Sequence, residues 1–430
     1  MYQKDGDFQI EIPVFFLIKR IEKRNCMEKQ EIPQNVLQIL STLNTTGYEA
    51  YIVGGCVRDF ILHREPQDWD ITTSALPNQI KALFPHTVDT GIQHGTGTVV
   101  CDKVNYEVTT YRIDGTYSDG RHPDAVSFTP NLAEDLLRRD FTMNAMAYHP
   151  QYGLQDPYCG AKDIADKQIR GVGEPAKRFQ EDGLRMLRCV RFASQLGFSV
   201  EPATYTALQQ NAVLIEKISV ERIHEELDKL WKGAYIEKLP LLLDSGLLPY
   251  IDTLFAEHLF ALQYEMIPQL KQIQKETALL WTVVLQKHTE EQAKIFCKKL
   301  KFDNQTMKQI LVFLRYLWED IPNDLYSVRK QAGELGEHTM RQLLHLQSVI
   351  RKADISQTCT LLEQVILQKD CLNLKMLAVD GKALMELGIP AGKAVGEMLS
   401  YLLEDVLHDP THNTPKYLMA LAKQYQTEQG

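Results

Sequence analysis

The sequence predicts an α+β chain, with a small mixed sheet near the N-terminus followed by helices alone. Three observations carry this. Between Tyr48 and about Asp166, short β-favouring runs alternate with glycines and occasional helical stretches. From about Trp231 onward the pattern is almost entirely helical. The chain has 430 residues, more than one ordinary core organises, so several domains are expected.

Composition bounds the function. Hydrophobic residues make up 44% and charged residues 24%, the profile of a globular protein rather than a disordered one. No apolar run is long enough to span a membrane. The eight cysteines (26, 56, 101, 159, 189, 297, 359, 371) form neither a CxxC motif nor a dense framework. A reduced cytoplasmic protein without structural zinc is expected. The net charge of −9 argues against indiscriminate coating of nucleic acid, but not against a local basic groove.

Met1 to Arg24 holds an apolar run, Phe8 to Ile18, broken by Glu11 and Pro13. It lacks the basic start and cleavage site of a signal peptide. Residues 1–26 are expected to be an extension with little role, and an amphipathic helix follows around Asn35 to Leu43.

Tyr51 to Ala75, YIVGGCVRDFILHREPQDWDITTSA, is the most informative stretch. Ile52 and Val53 favour a strand. Gly54 and Gly55 break it and let backbone approach a ligand. A helix from Val57 to Leu62 follows, whose free N–H groups suit a phosphate, and Arg58 adds a planar cationic fork. A second strand is expected to carry Asp68, Trp69 and Asp70, with both carboxylates on one face. Two carboxylates beside a phosphate-sized pocket suit a pair of Mg²⁺ ions. Alone, GG is a turn and DxD a solvated strand end; together they are far more specific.

Further on, Leu76 to Phe84 reads as a helix, and Thr96–Cys101 with Tyr106–Tyr111 as a hairpin. Glu107 on its second strand either joins a metal site, takes a proton from an attacking hydroxyl, or is a solvated edge glutamate. Asp114 to Phe128, rich in Gly, Asp and Ser, reads as a long mobile loop. In LRRDFTMNAMAY (Leu137 to Tyr148), Arg138 and Arg139 are adjacent cations. Asp140 can bond a ribose hydroxyl or hold an arginine, and Asn144 can bond the ribose. By itself, RRD is a solvated ion-pair cluster.

Arg178 to Phe198, RFQEDGLRMLRCVRFASQLGF, is predicted as one helix with Gly197 as its stop. Asp182 and Arg185, three apart, then neighbour each other on one face. They form either an intrahelical salt bridge or a base-reading pair. A carboxylate accepts from the exocyclic amine of C or A, while a guanidinium donates to the ring acceptors beside it. G and U present a carbonyl instead and leave buried polar groups unpaired. Arg188 and Arg191 continue the spacing, but Arg191 falls half a turn from Asp182 and can equally brace the helix.

Ile218 to Leu230 reads as a helix capped by Ser219, with Arg222 and its glutamates structural. Trp281 and Trp318 read as core. Lys298, Lys299 and Lys301 read as a solvated face before they read as a phosphate contact, and the glycine-flanked Lys393 is a candidate RNA-backbone contact. The lone His408–Asp409 pair supports no metal phosphohydrolase.

GGxVRD at Gly54–Asp59 followed by DxD resembles the nucleotidyltransferases of the polymerase-beta superfamily. With RRDFTMNA and the EDxxR of Glu181, Asp182 and Arg185, the chain is similar to class II (bacterial-type) tRNA nucleotidyltransferases of the CCA-adding branch. That resemblance implies a nucleotidyltransferase head (27–165), a neck (166–230), a helical body (231–330) and a tRNA-binding tail (331–430). It implies addition of C, C and A to the tRNA 3′ end from CTP and ATP, without a template. Asp68 and Asp70 would hold Mg²⁺, with Glu107 as third carboxylate. Gly55 and Arg58 would cradle the triphosphate, Arg139 would contact the nucleotide, and Asp140 with Asn144 would sense the ribose. Asp182 and Arg185 would read the base, and Arg188 and Arg191 join the nucleotide region by resemblance. The loop after Asp114 would serve the switch from C to A. A bacterial poly(A) polymerase and a catalytically silent RNA-binding module are the rivals. Oligomeric state is left open, a homodimer included.

Overall fold

The computed structural model describes residues 32–91, 95–115 and 125–429. The expected extension at 1–26 and the middle of the Asp114–Phe128 loop lie outside the described residues. The described chain divides into two compact units, one ending at Gln263 and one beginning at Tyr264.

The first unit opens with helix α1 (Gln34–Thr45), which buries Val36, Ile39, Leu40 and Leu43 on one face. A seven-stranded sheet follows, in the order β3-β4-β5-β2-β1-β8-β9. Its strands are β1 (Ala50–Val53), β2 (Asp70–Thr73), β3 (Thr87–Gly91), β4 (Thr96–Cys101), β5 (Val104–Thr110), β8 (Ala147–His149) and β9 (Gly153–Gln155). A separate pair, β6 (Arg112–Asp114) and β7 (Val126–Phe128), forms the two ends of the expected loop. β2 and β5 run parallel and the other neighbours antiparallel, so the sheet is mixed as predicted.

β1 is the axis of this head. Ile52 and Val53 are buried there, and Val53 faces Asp70 on one neighbour and Ala147 on the other. The β4–β5 hairpin turns through Asp102 and Lys103, both with positive φ. That is the two-residue turn whose twist suits antiparallel strands.

Two sequence expectations need correction here. The second strand begins at Asp70, so Asp68 and Trp69 lie in the irregular segment before it rather than on the sheet. Strict strand alternation therefore does not place Asp68. The stretch 178–198 is not one helix either. α6 (Pro175–Glu181) ends at Asp182, whose φ of −145° is extended, and α7 (Leu184–Leu196) starts after Gly183. The Asp182 carboxylate accepts from the Leu184 N–H at 3.0 Å, the competition with helix bonding that makes Asp a capping residue. Gly183 passes Leu214 so closely that a Cβ would lie 2.8 Å from its carbonyl oxygen. Gly197 ends α7 in the left-handed conformation, as expected.

α9 (Val220–Trp231), preceded by α8 (Pro202–Asn211), packs beside α7 and buries Ile223, Glu226, Leu227, Leu230 and Trp231. α3 (Pro77–Leu83), α5 (Gly160–Ala165) and several shorter helices complete the first unit.

The second unit is helical throughout. One core gathers Val328, Ala332, Met340, Leu344, Leu362 and Val365, and another Leu384, Met398, Leu402, Val406 and Leu418. Trp281 is fully buried, but Trp318 is 55% exposed, contrary to expectation. The helix Asn304–Leu317 turns Ile310, Phe313, Leu314 and Leu317 inward. Trp318 is one step past that stripe. Lys298 and Lys299 are exposed in the last turn of Glu290–Lys299, and Lys393 opens the helix Lys393–His408.

Candidate nucleotide site

A cavity of about 530 Å³ in the first unit collects most of the sequence-predicted residues. The head contributes Gly54, Gly55, Arg58, Asp68, Asp70, Arg138, Arg139, Asp140 and Asn144. The Asp182 turn and α7 contribute Asp182, Arg185, Arg188 and Phe192, and α9 contributes Arg222. Glu107 and Arg191 are not part of its wall.

β1 delivers the first group. Where it stops, Gly54 turns the chain at φ +85° into α2 (Gly55–Ile61). A Cβ on Gly54 would lie 3.0 Å from Nη1 of Arg139 and 3.6 Å from Oδ2 of Asp70, so glycine is what lets these two side chains close on the turn. Arg58 is tied to Asp59 at 2.8 Å and donates to Oδ1 of Asn144 at 2.7 Å.

Asp68 is exposed and Asp70 half-buried at the lip. Burial pushes the Asp70 carboxyl up; Arg139 pulls it back, while the charges of Glu107 and Asp68 push it further up. Glu107, on β5 beside β2, is exposed. It stands one residue before the Val108–Ile71 pair, as Asp70 does on its own strand. Among the described residues there is no group of three or more His, Cys, Asp or Glu side chains set to hold a metal. The donor set nevertheless fits a hard divalent cation: oxygen ligands only, with like charges crowding Asp70 that a cation would relieve.

The RRD turn is built on Asp135, which no local motif singles out. It is fully buried in the first turn of α4 (Leu132–Leu137) and accepts from Arg138 at 2.9 Å and from Thr72 of β2 at 3.1 Å. Arg139 lies 3.7 Å from it. Nε of Arg139 is buried without a hydrogen-bond partner, and the residue lines the cavity.

Asp140 holds an arginine. Its Oδ2 takes Nε and Nη2 of Arg188 at 2.9 and 2.7 Å, and its Oδ1 takes Nδ2 of Asn144 at 2.9 Å. Burial raises the carboxyl, but Arg188 and the Asn144 hydrogen bond more than offset this and hold it well below the usual carboxylate range. A continuous chain therefore runs from Arg58 through Asn144 and Asp140 to Arg188.

Asp182 and Arg185 both face the cavity but do not pair. Arg185 donates to Glu181 at 2.6 Å and to the carbonyls of Arg178 and Arg138 at 3.0 and 2.8 Å. Asp182 is held in a fork by Arg222 at 2.7 and 3.3 Å. The sequence reading placed Arg222 among structural residues; the structure brings it to the cavity wall across 40 positions, a distance no local pattern reports. Arg191 lies elsewhere: it is buried against Glu226 at 2.5 Å and Gln195 at 2.6 Å, bracing α7 to α9. The Phe192 ring, also unforeseen, lies 5.1 Å from the guanidinium carbon of Arg58, 5.3 Å from that of Arg188 and 3.9 Å from that of Arg191.

A mixed-sheet head with paired aspartates at a strand–turn–helix lip, facing an arginine-rich helix across one cavity, defines a nucleotidyltransferase. The model "Poly A polymerase head domain" matches residues 50–170, "Probable RNA and SrmB- binding site of polymerase A" residues 197–254, and "tRNA nucleotidyltransferase domain 2 putative" residues 271–422. A CCA-adding enzyme of Geobacillus sp. (strain WCH70) is 38% identical over 386 residues, covering 88% of this chain and 94% of that protein. The crystal structure of the Bacillus stearothermophilus CCA-adding enzyme in complex with CTP superposes with a TM-score of 0.79 at 33% identity, over 92% of this chain and 98% of that one. The Thermotoga maritima CCA-adding enzyme complexed with tRNA, at 19% identity and a TM-score of 0.63 over 95% of this chain and 98% of that one, shares the fold. The chain belongs to the CCA-adding enzymes, a family of tRNA nucleotidyltransferases.

Proposed function

We propose that this cavity adds C, C and A in turn to the 3′ end of tRNA from CTP and ATP, releasing pyrophosphate at each step. The observation that carries the reading is that the Asp68–Asp70 pair and the Asp182–Arg185 pair face one cavity. The 3′-terminal hydroxyl attacks the α-phosphorus in line, and the bond to the bridging oxygen of the leaving pyrophosphate breaks. Asp68 and Asp70 are the residues to hold Mg²⁺, which when bound lowers the pKa of an attacking hydroxyl and neutralises leaving oxygens. Glu107, on the neighbouring strand, adds a third carboxylate beside Asp70.

Gly54, Gly55, Arg58 and Arg139 take the triphosphate. Asp140 and Asn144 tie this end to α7, and Asn144 is the residue for the ribose. Arg188 acts through its bond to Asp140.

Base choice follows from counting hydrogen-bonding positions. Arg185 has five N–H groups, of which three are taken by Glu181 and two carbonyls, leaving two donors. Asp182 offers roughly four acceptor positions, three of which are taken by the Leu184 N–H and the two Arg222 N–H groups. One acceptor and two donors complement the amine, ring nitrogen and carbonyl of cytosine. Adenine uses the acceptor and one donor. Uracil and guanine set a carbonyl against the carboxylate, which costs an unpaired buried group.

Within the helical second unit, residues 331–430 are the tRNA-binding tail, recognising duplex RNA by shape and backbone. The unit's exposed Lys298, Lys299 and Lys393 are candidate contacts. No helix among the described residues is long and apolar enough to cross a membrane, and the described cysteines are free thiols, which fits a cytoplasmic tRNA-processing enzyme.

The test is primer extension on a tRNA transcript lacking its 3′ CCA, with Mg²⁺. CTP alone should add two residues, and CTP with ATP a third and no more. Long A tracts on unrelated RNA would instead make it a poly(A) polymerase. Arrest after two C with both nucleotides present would make it a CC-adding enzyme.

A further inference from the structure

We infer that Arg222 determines base selectivity, as a positioning residue that trims and aims the Asp182 carboxylate. The inference rests on the assignment of Asp182 and Arg185 as the base-reading pair.

Asp182 sits in an extended break between two helices, so no helical turn fixes its side chain. Two neighbours do so instead. The Leu184 N–H holds Oδ1 from the start of α7. Arg222 holds both oxygens from α9, with Nη1 on Oδ1 and the shorter Nη2 bond on Oδ2. A planar fork on a carboxylate fixes the plane of that carboxylate as well as its charge, which a lysine does not do. The free acceptor position that remains is on Oδ2, in a fixed direction. Arg222 is itself part of the cavity wall, so this anchor sits beside the base.

Without Arg222, Asp182 would regain two acceptor positions and freedom about its side-chain bonds. It could then turn from the carbonyl of uracil, and solvent could satisfy both groups. Selectivity arises from unpaired groups in a wrong complex, so such slack relaxes it. Rates with CTP itself should fall less than the discrimination does.

The experiment compares kcat/KM for CTP and UTP on the same truncated tRNA, for the full-length protein and Arg222→Met, Arg222→Lys and Asp182→Asn, with melting temperatures alongside. Arg222→Met should lower the CTP:UTP ratio by about tenfold or more. Arg222→Lys, which keeps the charge but loses the fork, should fall between. If Arg222→Met does not fold, the loss of ratio must appear in Arg222→Lys. An equal fall for CTP and UTP with the ratio intact, in whichever variants fold, overturns the inference. If Asp182→Asn relaxes the ratio and the Arg222 variants do not, the inference fails alone. If Asp182→Asn also leaves the ratio unchanged, the base-reading assignment fails with it.

Discussion

Arg188 places two N–H groups on a single oxygen of Asp140, at 2.9 and 2.7 Å, and this contact joins the RRD turn of the head to the helix that follows the Asp182 turn. The pair is asymmetric in exposure: the Arg188 side chain is 33% exposed, that of Asp140 only 9%.

The Asp140 carboxyl is held below its ordinary value in the folded state. Its charge therefore contributes stability that is present above the unfolded value, about pH 4, and is lost as pH falls through the folded value. Asp140→Asn should cost about 2–4 kcal/mol at neutral pH, since it leaves a partly buried guanidinium short of its partner. The gap between wild type and variant in urea unfolding should narrow as pH falls below about 4. A gap that stays constant down to acid pH would mean the ion pair is not its source.

Phe192 supplies an aromatic face near Arg58 and Arg188, two arginines of the cavity. Such contacts are worth about 0.5–2 kcal/mol each. Phe192→Leu keeps apolar volume and loses the face, so KM for CTP and for ATP should rise together, by about 5- to 30-fold. Phe192→Tyr should stay near wild type. Unchanged KM values in the leucine variant, with only a lower melting temperature, would reduce the ring to packing.

Arg191 braces α7 against Glu226 and does not reach the cavity. Arg191→Met should cost about 3 kcal/mol of stability by leaving Glu226 buried with less compensation. The CTP:UTP preference should be unaltered at temperatures where the variant is folded. A selective loss of one nucleotide would return Arg191 to the nucleotide site.

The strand, glycine turn and helix around Gly54 were legible because their signals are local: β-branched residues, then two glycines, then helical spacing. The hairpin and the Gly197 stop were legible for the same reason. The break at Asp182 was not, because helical periodicity continues through it; the capping bond to Leu184 and the close passage of Leu214 decide it. Asp135, Phe192 and Arg222 were missed because each acquires meaning only through partners distant in sequence. Asp135 in particular looks like an ordinary first-turn acid, favourable to the helix dipole, yet it is fully buried between Arg138, Arg139 and Thr72. Trp318 looked like core because large aromatics usually are, and the phase of one helix turns it out.

Asp70 offers the most direct test. Burial first, then the charges of Glu107 and Asp68 against the pull of Arg139, leave its carboxyl raised above the ordinary value. A raised folded value for an acid means that its charged form weakens the fold at neutral pH. On the proposed reading, the protein keeps this charge at a cost to stability because the carboxylate is there to hold a metal. The decisive measurement is extension of truncated tRNA by Asp70→Asn, with its melting temperature and tRNA affinity measured on the same preparation. The account predicts a rate lower by about 10²–10³-fold or more, undiminished tRNA binding, and a melting temperature equal to or above wild type. An Asp70→Asn enzyme that extends tRNA at the wild-type rate would contradict it.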